Sequence, residues 1–453
     1  MRPGAGAIGP EALLRLHERH PARYPVLLES VGGGAALGRY DLLLALPGAM
    51  LLQHADGSIE GPPASAGSQR FLGALDACWR AERVAAEEGA TAPFSGGWFL
   101  YLGYEVAGEI EPTLRLPQSR LPRAVAWRMR GAVVRDRQSG TVRLRAEPGF
   151  EEQLRREFSA DLAAAEIVTR HTSPAAVTDG VEEEPPERFL QGVRGVLEAI
   201  ARGDVYQANL SRGWRARLAP GFTPTELYRR LRAANPAPFA GCAALPGFAL
   251  LSSSPERLLR IRGHDASTRP IAGTRPRGDS PAHDDALRDE LRLNEKEQAE
   301  HVMLVDLERN DLGRICRGGS VEVDEFMTIE SYATVHHIVS NVRGELRPDV
   351  TPGQAIAAVF PGGTITGCPK VRCMELLAEL EGTPRDAYTG SMGYLGCDGS
   401  LDLNILIRTL AVREGAIEFR TGAGIVADSH PEAELEETRA KARGLLRALG
   451  SNA

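Results

Sequence analysis

Lysine is nearly missing from this chain. Of its 53 basic residues only Lys296, Lys370 and Lys441 are lysines. Where arginine serves every position that needs only positive charge, a surviving lysine marks a place for a compact ammonium. Two of the three lie in carboxylate-rich segments, Asn294 to His301 and Pro431 to Lys441, and the third closes the glycine-rich stretch Pro361 to Lys370. An excess of positive charge is also missing: the net charge of -7 argues against a general nucleic-acid binder. An anionic ligand would need local arginines, backbone N–H groups or a metal. The six cysteines form no CxxC pair and no paired metal-ligand spacing, which predicts free thiols. No basic start followed by an apolar run precedes residue 25, and the longest apolar stretch, around Leu42 to Leu52, is broken by Pro47 and Gly48. A cytoplasmic protein is expected. Both nucleotide motifs are absent: Lys370 stands between Pro369 and Val371 rather than in a P-loop, and no Gly-x-Gly-x-x-Gly opens a helix. A Gly-x-Cys-x-Gly glutaminase elbow is missing too, so the chain alone is not expected to hydrolyse glutamine.

What is present is a chain of 453 residues, 43% hydrophobic, able to bury a large core. Residues 1 to about 155 read as turn-punctuated strands, at Pro25 to Ser30, Tyr40 to Leu46, Gly97 to Tyr104, Val125 to Arg135 and Thr141 to Ala146. One helix, near Gln69 to Glu88, interrupts them. The acidic, turn-rich stretch 171–186 predicts a linker, dividing the chain into 1–170 and 187–450. Beyond it, apolar spacing predicts helices at Phe189 to Ile200, Asp284 to Asn310, Pro352 to Val359, Val371 to Leu380 and Pro431 to Leu449. Strands are expected between them, including Asp204 to Arg212, Phe248 to Ser253, His337 to Gly344, Gly390 to Leu395, Leu403 to Val412 and Ala416 to Arg420. The class is α+β, with long-range, mainly antiparallel sheets packed among helices.

Several groupings could carry chemistry. On a helix Glu297 and Glu300 share a face, as do Glu434, Glu437 and Lys441. Facing each other across a cleft, they would offer hard oxygen ligands for Mg²⁺; separately, each is an ordinary solvated face. Glycines in Pro361 to Gly367 and Thr421 to Gly424 allow backbone N–H groups to approach an anion. Along Asp204 to Arg212, Tyr206, Ala208 and Leu210 point one way, and Val205, Gln207, Asn209 and Ser211 the other. That polar face meets either solvent or a lined cleft. Glu256, at the end of a predicted strand, is either an exposed turn residue or, if buried, an acid that keeps its proton near neutrality. Taken singly, His336, His337 and Tyr388 read as core or surface residues.

A larger pattern emerges from their order. Gly-Asp-Val-Tyr-Gln-Ala-Asn-Leu-Ser (203–211), Ser-Pro-Glu-Arg (254–257), Pro-Ile-Ala-Gly-Thr-Arg-Pro-Arg-Gly (270–278), Glu-His-Val-Met-Leu-Val-Asp-Leu-Glu-Arg-Asn-Asp (300–311), His-His-Ile-Val-Ser (336–340), the Thr364 loop, Ile-Arg-Thr (407–409) and Gly-Ala-Gly-Ile-Val-Ala-Asp (422–428) follow one another. This set resembles the chorismate-utilising enzymes, the synthase components of anthranilate, aminodeoxychorismate and isochorismate formation. Leu-Leu-Glu-Ser (27–30) and Gly-Arg-Tyr (38–40) resemble the N-terminal domain of the amine-forming members. The resemblance implies that Glu297, Glu300, Glu434 and Glu437 surround Mg²⁺ and its waters. It implies that Tyr388, Arg408, Lys441 and the N–H groups of Gly422 and Gly424 hold the substrate's carboxylates. Glu256 matches the acid that protonates the departing hydroxyl, and Thr364, Gly273, Thr274 and His337 match other pocket positions.

Gln207 occupies the place where water-using relatives carry a lysine base. Ammonia is nucleophilic when neutral, so an amide there favours amination and implies a separate glutamine amidotransferase as partner. Phe360 to Gly367, Gly390 to Tyr394 and Tyr101 to Glu105 resemble the large component of aminodeoxychorismate synthase, which points to 4-amino-4-deoxychorismate. Ala272 and Leu-Leu-Glu-Ser instead resemble anthranilate synthases, because many aminodeoxychorismate synthases have lysine where Ala272 stands. Ser30 is then a candidate tryptophan site, or a plain strand serine. A third reading is a non-catalytic, anion-binding scaffold; the coexistence of Glu256, Gln207 and the four glutamates speaks against it.

Overall fold

Two antiparallel series of strands share the long strand Ala124–Asp136 in a computed structural model that describes residues 8–32, 38–85, 93–165, 175–332 and 335–451. The first series runs, neighbour to neighbour, through Tyr40–Gln53, Val26–Glu29, Phe239–Leu245, Phe248–Ser254, Thr409–Arg413, Ala416–Ile425 and Gln207–Leu218. The second runs through Gly97–Leu102, Ser391–Gly396, Leu401–Asn404, Arg257–Arg262, Asp265–Arg269 and Val335–Glu345. Leu42, Leu44 and Leu250 of the first meet Phe99, Tyr101 and Tyr394 of the second in one buried cluster, so the inner faces of the two series pack together. Helices cover the outer faces. Leu13, Leu227 and Leu445, from Pro10–Arg19, Pro224–Ala234 and Pro431–Leu449, bury against one. Phe71, Val305 and Ile356, from Phe71–Glu82, Glu295–Gly313 and Pro352–Val359, bury against the other. The expected α+β class is the one observed.

Strands on either side of the expected linker pair with each other: Val26–Glu29 with Phe239–Leu245, and Gly97–Leu102 with Ser391–Gly396. Within 171–186, residues 171–174 lie outside the described residues, and Val177–Glu183 forms a strand along Gln207–Leu218.

Four local expectations differ from the structure, each for a physical reason. The N-terminal part holds further helices, Ala107–Ile110, Glu151–Ala165 and Pro10–Arg19, the last of which proline starts and Leu13, Leu14 and Leu16 anchor. Tyr40 to Leu46 continues as a strand to Gln53, passing Pro47 on a register shift with Leu46 at φ 57°. Asp284 to Asn310 is two helices, Pro281–Leu293 and Glu295–Gly313, because the Asn294 side chain caps the second by accepting from Glu297 N–H. Leu403 to Val412 is two strands, Leu401–Asn404 and Thr409–Arg413, and the break puts Arg408 in the left-handed region at φ 51°. Both breaks lie at the cleft described next. All six cysteines are free, and no described helix is long and apolar enough to cross a membrane.

Candidate active site

The polar face of the strand Gln207–Leu218 is buried: Gln207 is 3%, Asn209 7% and Ser211 5% exposed. Beneath it lies an ion-paired floor. Glu381 and Arg385 are joined by two hydrogen bonds of 2.9 and 2.7 Å, and Glu381 also accepts from Ser211 N–H and Oγ. Arg385 donates further to Asn209 O and Ile365 O, tying the strand to the Thr364 loop. Asn209 donates in turn to Ile365 O and to the Tyr388 hydroxyl.

This floor fixes what faces the cleft. Because the N–H groups of Asn209 and Ser211 are spent on Thr366 O and Glu381, the pairs Asn209–Gly424 and Ser211–Gly422 exchange no ladder bonds. The amides of Gly422 and Gly424 therefore point away from this strand. A methyl group at Gly422 would sit 2.6 Å from the Tyr388 hydroxyl, and one at Gly424 would sit 2.6 Å from Gln207 Nε2. Only glycine permits both approaches. Lys441 donates to Gly422 O at 3.0 Å and pairs with Glu437 at 2.7 Å.

Gln207 Nε2 donates to Glu300 Oε1 at 2.6 Å, which leaves the amide oxygen, buried and without a partner among the described residues, free to accept. Glu300 carries a raised pKa, chiefly from burial; Gln207 opposes the rise, the Glu297 and Glu437 charges add to it, and Lys441 counters it. Glu434, 7% exposed, is raised for the same first reason, and feels Glu437, Lys296 and Lys441. The acidic faces of the two helices thus look toward each other, with Lys296 and Lys441 among them. Glu297 also pairs with Arg275 at 3.2 Å. Among the described residues no three His, Cys, Asp or Glu side chains lie close enough to cage an ion.

Glu256, expected either as an exposed turn or as a buried acid, is 4% exposed, and its pKa is pushed up to about 7 by burial. Ile271 N–H, Arg408 and Lys441 pull the other way. The Thr364 hydroxyl faces it without reaching the geometry of a full hydrogen bond. Arg408 is desolvated, which works against its charge, while Glu256 supports it; its guanidinium makes no ion pair among the described residues. His337 is neutral, pushed down to about 3 by burial and by Arg408, and its Nδ1 lies 2.9 Å from Thr274 Oγ1 and 3.5 Å from Gly273 O. His336 is structural, bound to Asp284 and Ser331.

Gln207, Glu256, Glu297, Glu300, Thr364, Tyr388, Arg408, Gly422, Gly424, Glu434, Glu437 and Lys441 are linked through these interactions, and Gly273, Thr274 and His337 adjoin them. Ser30 stands apart. It lines a separate cavity of about 330 Å³ with Glu29, Tyr40, Phe239, Met392 and Tyr394. Glu381 and Arg385 were not apparent as site residues in the sequence; their one signal is the i, i+4 spacing.

Residues 51–447 match the model of the chorismate binding enzyme family. The chain is 39% identical over 445 residues to aminodeoxychorismate synthase component 1 of Bacillus subtilis, covering 94% of this chain and 92% of that protein. It is 43% identical over 364 residues to an anthranilate synthase component I-like protein of Synechocystis, covering 79% and 73%. The crystal structure of anthranilate synthase component I from Streptococcus pneumoniae superposes with a TM-score of 0.79 at 28% identity, covering 92% of this chain and 94% of that one. The chain belongs to the chorismate-binding enzymes, and it is a chorismate-utilising enzyme.

Proposed function

We propose that this enzyme aminates chorismate with ammonia to 4-amino-4-deoxychorismate, the precursor of 4-aminobenzoate, with Mg²⁺ bound and ammonia supplied by a separate glutamine amidotransferase. One observation carries the reading: Gln207 presents a buried acceptor oxygen without a partner among the described residues. That oxygen takes one N–H of ammonia and leaves the lone pair free to attack. Water would need a base to remove its proton, and an amide cannot serve as one. Glu256 holds its proton up to about pH 7 and donates it to the departing hydroxyl, after which Arg408 and Lys441 steady the carboxylate left behind. Arg408, Lys441, Tyr388 and the amides of Gly422 and Gly424 hold the substrate's carboxylates. Thr364 and the neutral His337–Thr274 pair shape the remaining wall.

The acidic faces fit Mg²⁺. Glu300, half-buried, and Glu434, buried, both have their proton affinity raised by the Glu437 charge, a situation a cation relieves. Because Mg²⁺ keeps several waters, it needs no closed cage, and one or two direct carboxylates from Glu297, Glu300, Glu434 and Glu437 suffice. When bound, the ion would neutralise and hold the ring carboxylate.

Ala272 favours a second reading, anthranilate formation. It is 6% exposed and faces Ile338 across the ladder. Neither Lys370, paired with Asp311, nor Lys441 is available to add covalently to the ring in its stead. The test incubates the protein with chorismate, Mg²⁺ and an ammonium salt. Chorismate should disappear, and 4-aminobenzoate should form only after aminodeoxychorismate lyase is added. Fluorescent anthranilate without a second enzyme would establish the other reading; no loss of chorismate would overturn both and return the scaffold. Tryptophan added to the same assay tests the Ser30 cavity: inhibition or a higher melting temperature marks a site, and neither leaves Ser30 a plain strand residue.

A further inference from the structure

The third lysine has no part in the site above. Lys370 Nζ donates to Asp311 Oδ2 at 2.5 Å and to Val359 O at 3.4 Å, behind the Thr364 loop. Asp311 follows Glu308 by three residues on the helix Glu295–Gly313, so their carboxyls share a face. Glu308 is 4% exposed and makes no ion pair among the described residues. A methyl group at Gly363 would lie 3.6 Å from Glu308 Oε1, and the next residue is Thr364, whose hydroxyl faces Glu256. The groups that act on Glu308 are Asp311 from its own helix, Lys370 from the next, Glu256 from the strand junction and Thr268 from the strand Asp265–Arg269. Asp311 adds to the Glu308 proton affinity, Lys370 opposes it, and Glu256 adds to it again, so Glu308 and Glu256 are two carboxyls acting on each other in one water-poor space. Two such groups do not both ionise near neutrality.

Two hydroxyls there lack hydrogen-bond partners among the described residues: Thr268 Oγ1, on a residue with no exposure, and Thr364 Oγ1. Leaving a buried hydroxyl unpaired costs about 1–3 kcal/mol. One of these faces Glu308 and the other faces Glu256.

We propose that Glu308 is a positioning residue and second proton holder, which restores a proton to Glu256 by way of the Thr268 and Thr364 hydroxyls after Glu256 has protonated the departing hydroxyl. The inference rests on the amination reading. The balance is simple: the Glu256 proton leaves with the hydroxyl as water, the Glu308 proton moves to Glu256, and Glu308 recovers one from solvent as the new ammonium group releases one. Burial, with the Asp311 and Glu256 charges beside it, raises the Glu308 proton affinity, so Glu308 holds a proton to pass on once Glu256 has lost its own.

The test measures kcat and KM for chorismate from about pH 6 to about pH 9 at constant free ammonia, for the wild type, Glu308→Gln and Glu308→Asp. Glu308→Gln should lower kcat about tenfold on the alkaline side, move that limb down by about one pH unit and leave KM within about twofold. Glu308→Asp should recover part of the loss. A wild-type profile in Glu308→Gln overturns the proposal, as does a loss uniform in pH that Glu308→Asp shares together with a lowered melting temperature. Difference infrared spectra read the proton without turnover: a protonated-carboxyl band near pH 7 that Glu308→Gln removes is expected, and no such band overturns the proposal. An inactive Glu256→Gln beside an unaltered Glu308→Gln sinks only this inference; a wild type that leaves chorismate intact sinks the amination reading.

Discussion

The floor beneath the cleft and the wall above it are both polar and buried, yet they differ in how their groups are satisfied. In the floor, Glu381, Arg385, Ser211 and Asn209 all find partners within the chain, and Arg385 alone donates to Glu381, Ile365, Thr389 and Asn209. In the wall, the Gln207 oxygen and the Thr364 hydroxyl have none among the described residues, and Arg408 pairs with no carboxylate among them. A buried polar group without a partner is costly, so a fold tolerates it where a ligand supplies the missing contact. The floor holds shape and the wall waits for substrate. Changes in the wall should therefore move activity without stability, and changes in the floor the reverse.

The largest effect expected lies in the wall. Glu256→Gln keeps size and hydrogen bonding but removes the donated proton, so kcat should fall by about 10²–10⁴-fold. Chorismate affinity, read by calorimetry, should change little, and the melting temperature should hold or rise because a buried ionisable group is gone. Equal losses of affinity and rate would show that Glu256 binds rather than protonates.

The floor supplies the second break. Arg385→Met leaves Glu381 facing Arg420 alone at 3.4 Å and strips Ile365 O and Asn209 O of a donor. Removing one partner of a buried pair costs about 3–5 kcal/mol. Urea unfolding should show that loss, while the residual folded enzyme keeps its pH profile. A stable but inactive Arg385→Met would erase the distinction between floor and wall.

These two regions also differ in how far the sequence discloses them. The wall was legible because its residues sit in short ordered motifs: Gln207, Glu256, Arg408 and the glycines at 422 and 424 each fall in one. Helices bounded by punctuation were legible too, as at Pro352–Val359 and Pro431–Leu449, where proline stands at the first turn. The floor was not, because Arg385 meets Asn209 across 176 positions, and nothing local to either residue encodes that contact. The break at Ile405 to Arg408 was hidden for the same reason. Its residues read as continuous strand, and what interrupts them is tertiary: Ile405 N–H bonds to Glu256 O, and Arg408 O accepts from Ser253 N–H. The polar strand face stayed open between solvent and cleft because its burial is decided by distant elements, among them the helix carrying Glu300.

The smallest effect sharpens the comparison through pH. Glu256 in the wall and Glu105 against the floor both rise to about 7, each first through burial, although Glu105 accepts N–H groups from Arg385 and Asp386. Glu308 rises to about 8. A carboxyl with a raised native pKa binds a proton that the unfolded chain has released, so its stabilising contribution is complete below the ordinary carboxylate range and is lost as pH climbs through the native value. The buried histidines work oppositely: His17, lowered by burial, His301, pushed down to about 4, and His337, to about 3, add stability as pH rises through about 6.5, an effect that fades by about pH 7.5. Between about pH 7 and about pH 8 the acids outweigh them, and stability should decline by about 1–2 kcal/mol. Urea unfolding at intervals across that window measures it. Glu308→Gln should flatten the decline most, since the native fold keeps the Glu308 proton through most of the window while the unfolded chain has released it, and Glu256→Gln should flatten it less. Stability that stays level or rises there would mean that these carboxyls are already ionised in the native fold, and the division of labour between a protonated wall and a charged floor would fail with it.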